Sequence, residues 1–500
     1  MAAIWYNSSM KINKFVVAAL VAASVVGYAE ARTQKIAAWR GETVAALVED
    51  FAVQDLDLEA LPEGVEGRIG VLKEVRYMTA PHSLQYRRSA DRVEWGSKDA
   101  GPKVIELQVS PNAAPGVYTA GPLQIKIVDR VLPPAKDWKY YLDLWQHPWA
   151  VSRVNKVKPF SKAHYEAMRP VWELLATAGQ KALTVSMLDE PWDHQCFDAY
   201  YSLIKRTKNA DGSWTYDYSL FDEYVEFGRS CGLGPDIACY TMCPWGYIIR
   251  YTGPDGKTVA VEAKPGTPQF DGFWCPFLKD FAQHLKDKGW FKDTFIAMDE
   301  RSPEDVLYIA NFVQKHAPGM RISMAGNRKP SDFKGIVIDS YSQSLGHVTA
   351  DFLAECPERR AKGFITTHYV CCGPRYPNTF MDSAPGEAFW NGAYPGFVGL
   401  DGFLRWAWNS WGEDAMNDAT YWNWLAGDTF LVYPDAAPSW RFLDLRNGIV
   451  AAEKLRILKE EGLMDKEIAR VAAMYDMKSA VANKCNFRRI RQETLNLVNR

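Results

Sequence analysis

The stretch Thr294-Phe295-Ile296-Ala297-Met298-Asp299-Glu300 decides how the rest of the chain is read. Its apolar run is the length of a strand and has no polar face, so it reads as a strand buried in a larger structure. It stops at two adjacent acids, and from Pro303 to His316 apolar residues recur at three-to-four spacing, the pattern of a helix. Runs of the same kind lie at 140–145, 182–188, 236–241, 294–298, 321–325, 335–339, 363–367 and 402–408. Helical patterns at 162–178, 220–231, 277–288 and 303–316 separate several of them. Apolar strands alternating with helices are the signature of βα units, and eight strands is the number that closes a (β/α)8 barrel. The intervals are uneven, and the fifth strand is followed by too little chain for a full helix. From Ser439 onward, including 443–458, the chain reads as helical and is expected to cover the last strand.

Ahead of the barrel the texture differs. Between residues 36 and 131, short β-prone runs are broken by Gly and Pro; 104–109 alternates, Pro111, Pro115 and Gly116 mark a turn, and 117–128 alternates again. This reads as a β-sandwich, and Leu132-Pro133-Pro134 after it as a stiff connector. The expected organisation is therefore α/β. A secretory signal peptide occupies 1–31, a small all-β sandwich 32–134, and a TIM-type (β/α)8 barrel with a helical tail 135–500. The signal reading rests on Lys11 and Lys14 ahead of an apolar run at 15–26, with Ala29-Glu30-Ala31 as the cleavage site. Met10 is a second possible start, because 1–9 fits no part of that pattern. A secreted or periplasmic protein without a membrane-spanning segment after cleavage is expected.

The 500 residues carry 58 Lys+Arg against 60 Asp+Glu, a net charge of −2, which speaks against a nucleic-acid binder. With 47% hydrophobic and 24% charged residues the chain is globular rather than disordered. The nine cysteines include no C-x-x-C pair and there is no H-E-x-x-H, so no metal and no cofactor is expected. What departs from the ordinary is the aromatic content, 13% with 19 Trp. In barrels of this kind the reactive groups stand at the C-terminal ends of the strands. There the sequence places Trp145 and His147, Asp189-Glu190 with Trp192 and His194, Trp245, Asp299-Glu300, Tyr341, Tyr369, and Arg405, Trp406, Trp408 and Trp411. Aromatic rings interleaved with carboxylates at one rim suit a sugar, because rings stack on C–H faces while acids handle hydroxyls and the glycosidic oxygen. Asp189-Glu190 and Asp299-Glu300 compete for the catalytic role. Other acid pairs, such as Asp222-Glu223 and Glu460-Glu461, sit on polar or helical stretches.

Longer motifs narrow this. Gly402-Phe403-Leu404-Arg405-Trp406-Ala407-Trp408-Asn409-Ser410-Trp411, Ala426-Gly427-Asp428-Thr429 and Val432-Tyr433-Pro434 resemble the C-terminal signature of glycoside hydrolase family 123. So does Arg441-Phe442-x-x-Leu445-Arg446-x-Gly448-Ile449, ending in Glu453-Lys454. The stretch 142–148 and Pro374-x-x-Pro377-Asn378-Thr379 are similar to that family too. The likeness runs from about Trp138 to Leu458, and the front matches the family's sandwich loosely.

The resemblance implies retaining hydrolysis of terminal β-linked N-acetylgalactosamine by substrate-assisted catalysis, with a glycan or glycoconjugate as partner. The family's adjacent Asp-Glu after the fourth barrel strand falls on Asp299-Glu300. Asp299 would orient the sugar's acetamide, which attacks the anomeric carbon itself. Glu300 would protonate the leaving oxygen and then activate water, its protonated state favoured by the neighbouring carboxylate. Tyr369 is a candidate donor to the acetamide carbonyl, and Trp406 and Trp411 are candidate walls. Arg405 and Asn378 would bind ring hydroxyls or brace loops; Trp145, His147, Trp192, His194, Trp245 and Tyr341 would shape the rim. Two alternatives stay open: a barrel glycosidase with Asp189 or Glu190 as covalent nucleophile, and a carbohydrate-binding protein without catalysis.

Overall fold

The computed structural model describes residues 34–48 and 57–500. The expected signal peptide lies outside them. Among the described residues seven strands come first: β1 (Gln34–Arg40), β2 (Thr43–Val48), β3 (Val65–Met78), β4 (Tyr86–Trp95), β5 (Lys103–Val109), β6 (Gly116–Ala120) and β7 (Leu123–Val131). They form two sheets, ordered β1-β7-β6 and β2-β5-β3-β4. Alternate residues point inward from both: Ile36, Ala38, Ile125 and Ile127 from the first meet Val44, Ile105, Leu107 and Val109 from the second.

Twelve further strands follow: β8 (Tyr141–Leu144), β9 (Ala182–Ser186), β10 (Lys205–Lys208), β11 (Trp214–Asp217), β12 (Asp236–Tyr240), β13 (Ile248–Thr252), β14 (Thr258–Glu262), β15 (Thr294–Met298), β16 (Arg321–Gly326), β17 (Ser340–Ser344), β18 (Ile365–Tyr369) and β19 (Gly402–Arg405). Eight of them make one parallel sheet, ordered β8-β19-β18-β17-β16-β15-β12-β9. The expected barrel is there, nearly closed. At the β8/β9 seam side-chain amides take over from the strand ladder. Gln180 Oε1 accepts the Leu144 N–H at 3.0 Å, and Gln146 Oε1 accepts the Thr184 N–H at 2.8 Å. Across the neighbouring junction β19 runs so close to β8 that a Cβ on Gly402 would stand 1.8 Å from the Tyr141 carbonyl oxygen, so only glycine fits. The remaining strands, β11-β10-β13-β14, form a small sheet from the connections after β9 and β12.

The sixth barrel strand is displaced from its expected position. The apolar run at 335–339 is not the strand; Val337 is 47% exposed, and the chain enters the barrel five residues later as Ser340-Tyr341-Ser342-Gln343-Ser344. Asp339 fixes the entry, giving its N–H to Ile322 O and accepting the Ile322 N–H on its carboxylate. Apolarity misled here because this strand buries serines and a glutamine. As expected, the fifth connection holds only one short turn, Pro330–Asp332.

The helix Trp440–Glu460 is buried along most of its length between sandwich and barrel. Three of its cations find carboxylates on the sandwich: Arg441 pairs with Asp91 at 3.0 Å, Arg446 with Glu106, and Lys454 with Glu42. Asn447 both donates to Ala45 O (2.8 Å) and accepts the Ala45 N–H (3.2 Å), adding itself to β2 as a further strand residue would. Removing one member of a buried pair strands the other charge. Asp91→Ala is expected to lose about 3–5 kcal/mol of stability, read as a lowered urea midpoint; a loss under 1 kcal/mol would contradict this account of the interface.

Candidate active site

The recess at the C-terminal end of the barrel is built around the turn that leaves β15. Asp299 sits half-buried, with one hydrogen-bond donor on each carboxylate oxygen. The Trp245 indole N–H donates to Oδ2 at 3.1 Å, and the Glu300 backbone N–H to Oδ1 at 2.9 Å. Burial pushes its pKa up to about 6, against the pull of these donors and with help from the Glu300 charge. Glu300 receives the hydroxyl of Tyr369, the last residue of β18, on Oε1. Burial first, then the Glu300 charge, holds the Tyr369 phenol far above its ordinary range, so it remains a donor. Arg301 lies between two rings, its guanidinium 4.9 Å from the Trp245 centroid and 4.6 Å from that of Tyr247. Asp305 completes the brace, 3.7 Å from Arg301 and accepting the Tyr247 hydroxyl at 2.9 Å. The indole that positions Asp299 is therefore itself held from behind.

Aromatic rings form the floor. Trp145 lies 4.4 Å from Tyr240 and 5.5 Å from Trp192, centroid to centroid, and Trp192 packs on Tyr200. His147 is buried against Trp192, Tyr200 and Trp406. Its Nε2 lies 3.2 Å from Trp406 O, and burial lowers its pKa to about 3, so it is neutral. Below Trp145, Asp143 is fully enclosed, and burial lifts its carboxyl to about 7. Trp406 is partly exposed at the mouth and gives its indole N–H to Asp428 Oδ1 at 3.0 Å.

Residues 145–458 match the family described as Glycoside hydrolase 123, catalytic domain. The chain belongs to this family. Its fold is similar to a solved family 123 glycoside hydrolase from Clostridium perfringens, described by its study of glycolipid glycan hydrolysis, with TM-score 0.79 and 23% identity over 93% of this chain and 94% of that one. A GH10 xylanase with a bacterial Ig-like domain, from termite gut, gives TM-score 0.34 at 9% identity over 85% of this chain and 100% of that one. An exo-β-1,4-mannosidase from Opitutaceae bacterium strain TAV5 gives 0.38 at 12% identity over 64% and 60%. No curated protein sequence is significantly similar to the chain.

For a family 123 glycosidase, several rim residues expected from the sequence occupy structural positions. Arg405 is fully buried, pairs with Asp428 at 2.9 Å, and donates to Asn378 Oδ1 at 3.0 Å. Asn378 gives its amide to Cys371 O (3.0 Å) and Pro374 O (2.7 Å); both residues brace loops and neither presents a free group to a sugar. Trp411 is buried with its N–H on Val432 O at 2.7 Å, and so is not a wall of the recess. Trp408 packs in the core against Phe442. Tyr341 falls inside β17 because that strand starts late, and its hydroxyl is bound to the backbone of Arg328. Asp189 caps the Ser202 N–H, while Glu190 accepts the N–H groups of His194 and Tyr200. His194 lies on the surface beside Glu190, 3.3 Å away. The nine thiols are all unpaired. Sequence reasoning gave no role to Arg301, Tyr247 or Asp428. The 301/305 spacing of opposite charges was the available signal for the first, and the Gly427-Asp428 motif for the last.

The elevation of Asp299 has a sign. The folded protein holds this proton up to about pH 6, whereas a free aspartic acid loses it near 3.8. Its contribution to stability therefore falls as pH rises from about 4 to about 6. Asp299→Asn should gain stability relative to wild type across that interval, measured as the difference in melting temperature at pH 4 and pH 7.5. A constant difference would show that Asp299 is not elevated.

Proposed function

We propose that this family 123 enzyme is a retaining exo-glycosidase that releases terminal β-linked N-acetylgalactosamine through attack by the sugar's own acetamide. The observation that carries the reading is the different surroundings of two adjacent acids: Asp299 is held by the Trp245 indole and the Glu300 backbone N–H, while Glu300 accepts the Tyr369 hydroxyl. Asp299 has both oxygens held by donors in a desolvated position, suited to receive the acetamide N–H and to stabilise positive charge on a forming oxazolinium ring. Glu300 accepts the Tyr369 hydroxyl on Oε1. In this reading it gives its proton to the leaving oxygen and then takes one from the attacking water. On binding, the Tyr369 hydroxyl shifts its hydrogen bond from Glu300 Oε1 to the acetamide carbonyl oxygen. Glu190 has both carboxylate oxygens on backbone N–H groups, which speaks against it as a covalent nucleophile; Asp189 has one, from Ser202. The amino-terminal charged-then-apolar segment supports export of the enzyme.

A panel of aryl β-glycosides tests this directly. Turnover is expected for the N-acetylgalactosaminide and not for the galactoside lacking the acetamide. A thiazoline analogue of the sugar should inhibit, because it mimics the cyclised intermediate. Glu300→Gln is expected to lose at least about a hundredfold in kcat on an aglycone that needs protonation. The acid limb of the wild-type pH profile should fall near 6 and disappear in Asp299→Asn. Equal turnover of the galactoside, or no effect of the thiazoline, overturns the acetamide route.

A further inference from the structure

The connection after β19, residues 406–439, carries a tight turn whose backbone is pinned from two sides while one large ring is left in water. Tyr421 and Trp424 face each other across the turn. The Tyr421 hydroxyl and the Trp424 indole N–H both donate to Gln195 O, each at 3.1 Å, in the loop after the second barrel strand. Trp424 also meets Trp406 edge-on, at 5.7 Å, and so continues the aromatic wall of the recess outward. From the other side the hairpin between β3 and β4 reaches over from the sandwich. Arg76 N–H donates to Asn417 O (2.9 Å), Ala419 N–H to Arg76 O (2.8 Å), and Met78 N–H to Thr420 Oγ1 (3.0 Å). At its tip the His82 N–H donates to Trp422 O at 3.3 Å, and the His82 imidazole packs edge-to-face on the Trp422 ring at 4.9 Å. Trp422 nevertheless remains 52% exposed.

An indole with this much surface in water, on a turn held by so many hydrogen bonds, gains nothing for folding from its exposed face. It is a rigid, preorganised plane next to the mouth of a sugar site. An exo-acting pocket takes the terminal sugar inward, so whatever else the substrate carries must leave through that mouth. We infer that Trp422, backed by His82 of the sandwich hairpin, is a stacking platform for a pyranose of the leaving portion, which makes the enzyme selective for oligosaccharides over single glycosides. The inference rests on the reading of the recess as an exo-glycosidase pocket. It adds a second contact area, supplied jointly by the barrel and the unit in front of it.

The experiment compares kcat/KM for a free tetrasaccharide ending in β-linked N-acetylgalactosamine with that for the aryl monosaccharide, in wild type, Trp422→Ala, Trp422→Phe and His82→Ala. The tetrasaccharide-to-aryl ratio should fall about tenfold in Trp422→Ala, through KM rather than kcat. Trp422→Phe should recover most of it, and His82→Ala should show a smaller fall. An unchanged ratio in Trp422→Ala overturns the platform. A wild type active on the aryl substrate with an unchanged variant ratio defeats this inference alone, whereas a wild type inactive on both substrates defeats the exo-glycosidase reading and this one with it.

Discussion

Two guanidinium groups buried side by side hold the mouth of this barrel in place. Arg405 and Arg441 both donate to Gly427 O, at 3.3 and 3.1 Å. Each has its own carboxylate, Asp428 for Arg405 and Asp91 for Arg441. Like charges this close are tolerable because carboxylates and carbonyls accept from both. Arg441 also binds Thr379 O and Phe430 O, and Arg405 binds Val370 O and Asn378 Oδ1. The loops after the seventh and eighth strands are thereby tied to one another and to the sandwich. Such pairs gain little over a well-packed apolar core. Their value here is positional: Asp428, fixed by Arg405, also accepts the N–H of Trp406 and so sets the outer wall of the recess.

The recess itself departs from what folding alone would select. Asp299 is carried into a position where burial works against its charge, and Asp143 beneath Trp145 is enclosed even more completely. Neither is rescued by a direct lysine or arginine partner. Asp299 has only an indole and a backbone N–H on its oxygens, and Asp143 Oδ1 has no hydrogen-bond partner. Groups displaced from their ordinary protonation range in a cleft are a mark of chemistry rather than of stability. The Arg301–Asp305 pair and the two rings around Arg301 supply the rigidity that Asp299 needs, at a distance where they do not neutralise it outright.

The architecture was readable because buried parallel strands are rich in apolar residues, and seven of the eight overlap the runs read for them. The exception, β17, is built from Ser340, Ser342 and Gln343, and its position is set by Asp339 gripping Ile322 on the preceding strand, a contact that no local pattern of the run itself reveals. Asp299 and Glu300 stood out because they follow directly on Phe295–Met298 with no spacer. The tryptophans and polar residues after β18 and β19 were harder. A residue's place past a strand end fixes the face of the barrel it belongs to, and leaves open whether the loop turns it toward the recess or back into the core. Trp411, Arg405 and Asn378 turn back, drawn by backbone carbonyls of the loops they fold against; Trp406 gives its N–H to the buried Asp428 and keeps part of its ring exposed.

The sandwich is the part whose importance the sequence least revealed. Its contacts with the barrel divide into two kinds with different consequences. Along the helix Trp440–Glu460 they are buried ion pairs and an asparagine that completes β2, which make the two units a single packed body. At the β3–β4 hairpin they are mainly main-chain hydrogen bonds to 417–422, joined by one to the Thr420 hydroxyl and an Arg76–Asp418 ion pair at 3.2 Å, at the C-terminal end of the barrel. Main-chain bonding of this kind specifies position more than it adds stability. A front unit needed only to complete the core would have no reason to send a hairpin across to a mouth loop. That it does, and that the loop it grips sets Trp424 against Trp406, makes the shape of the entrance a joint property of both units.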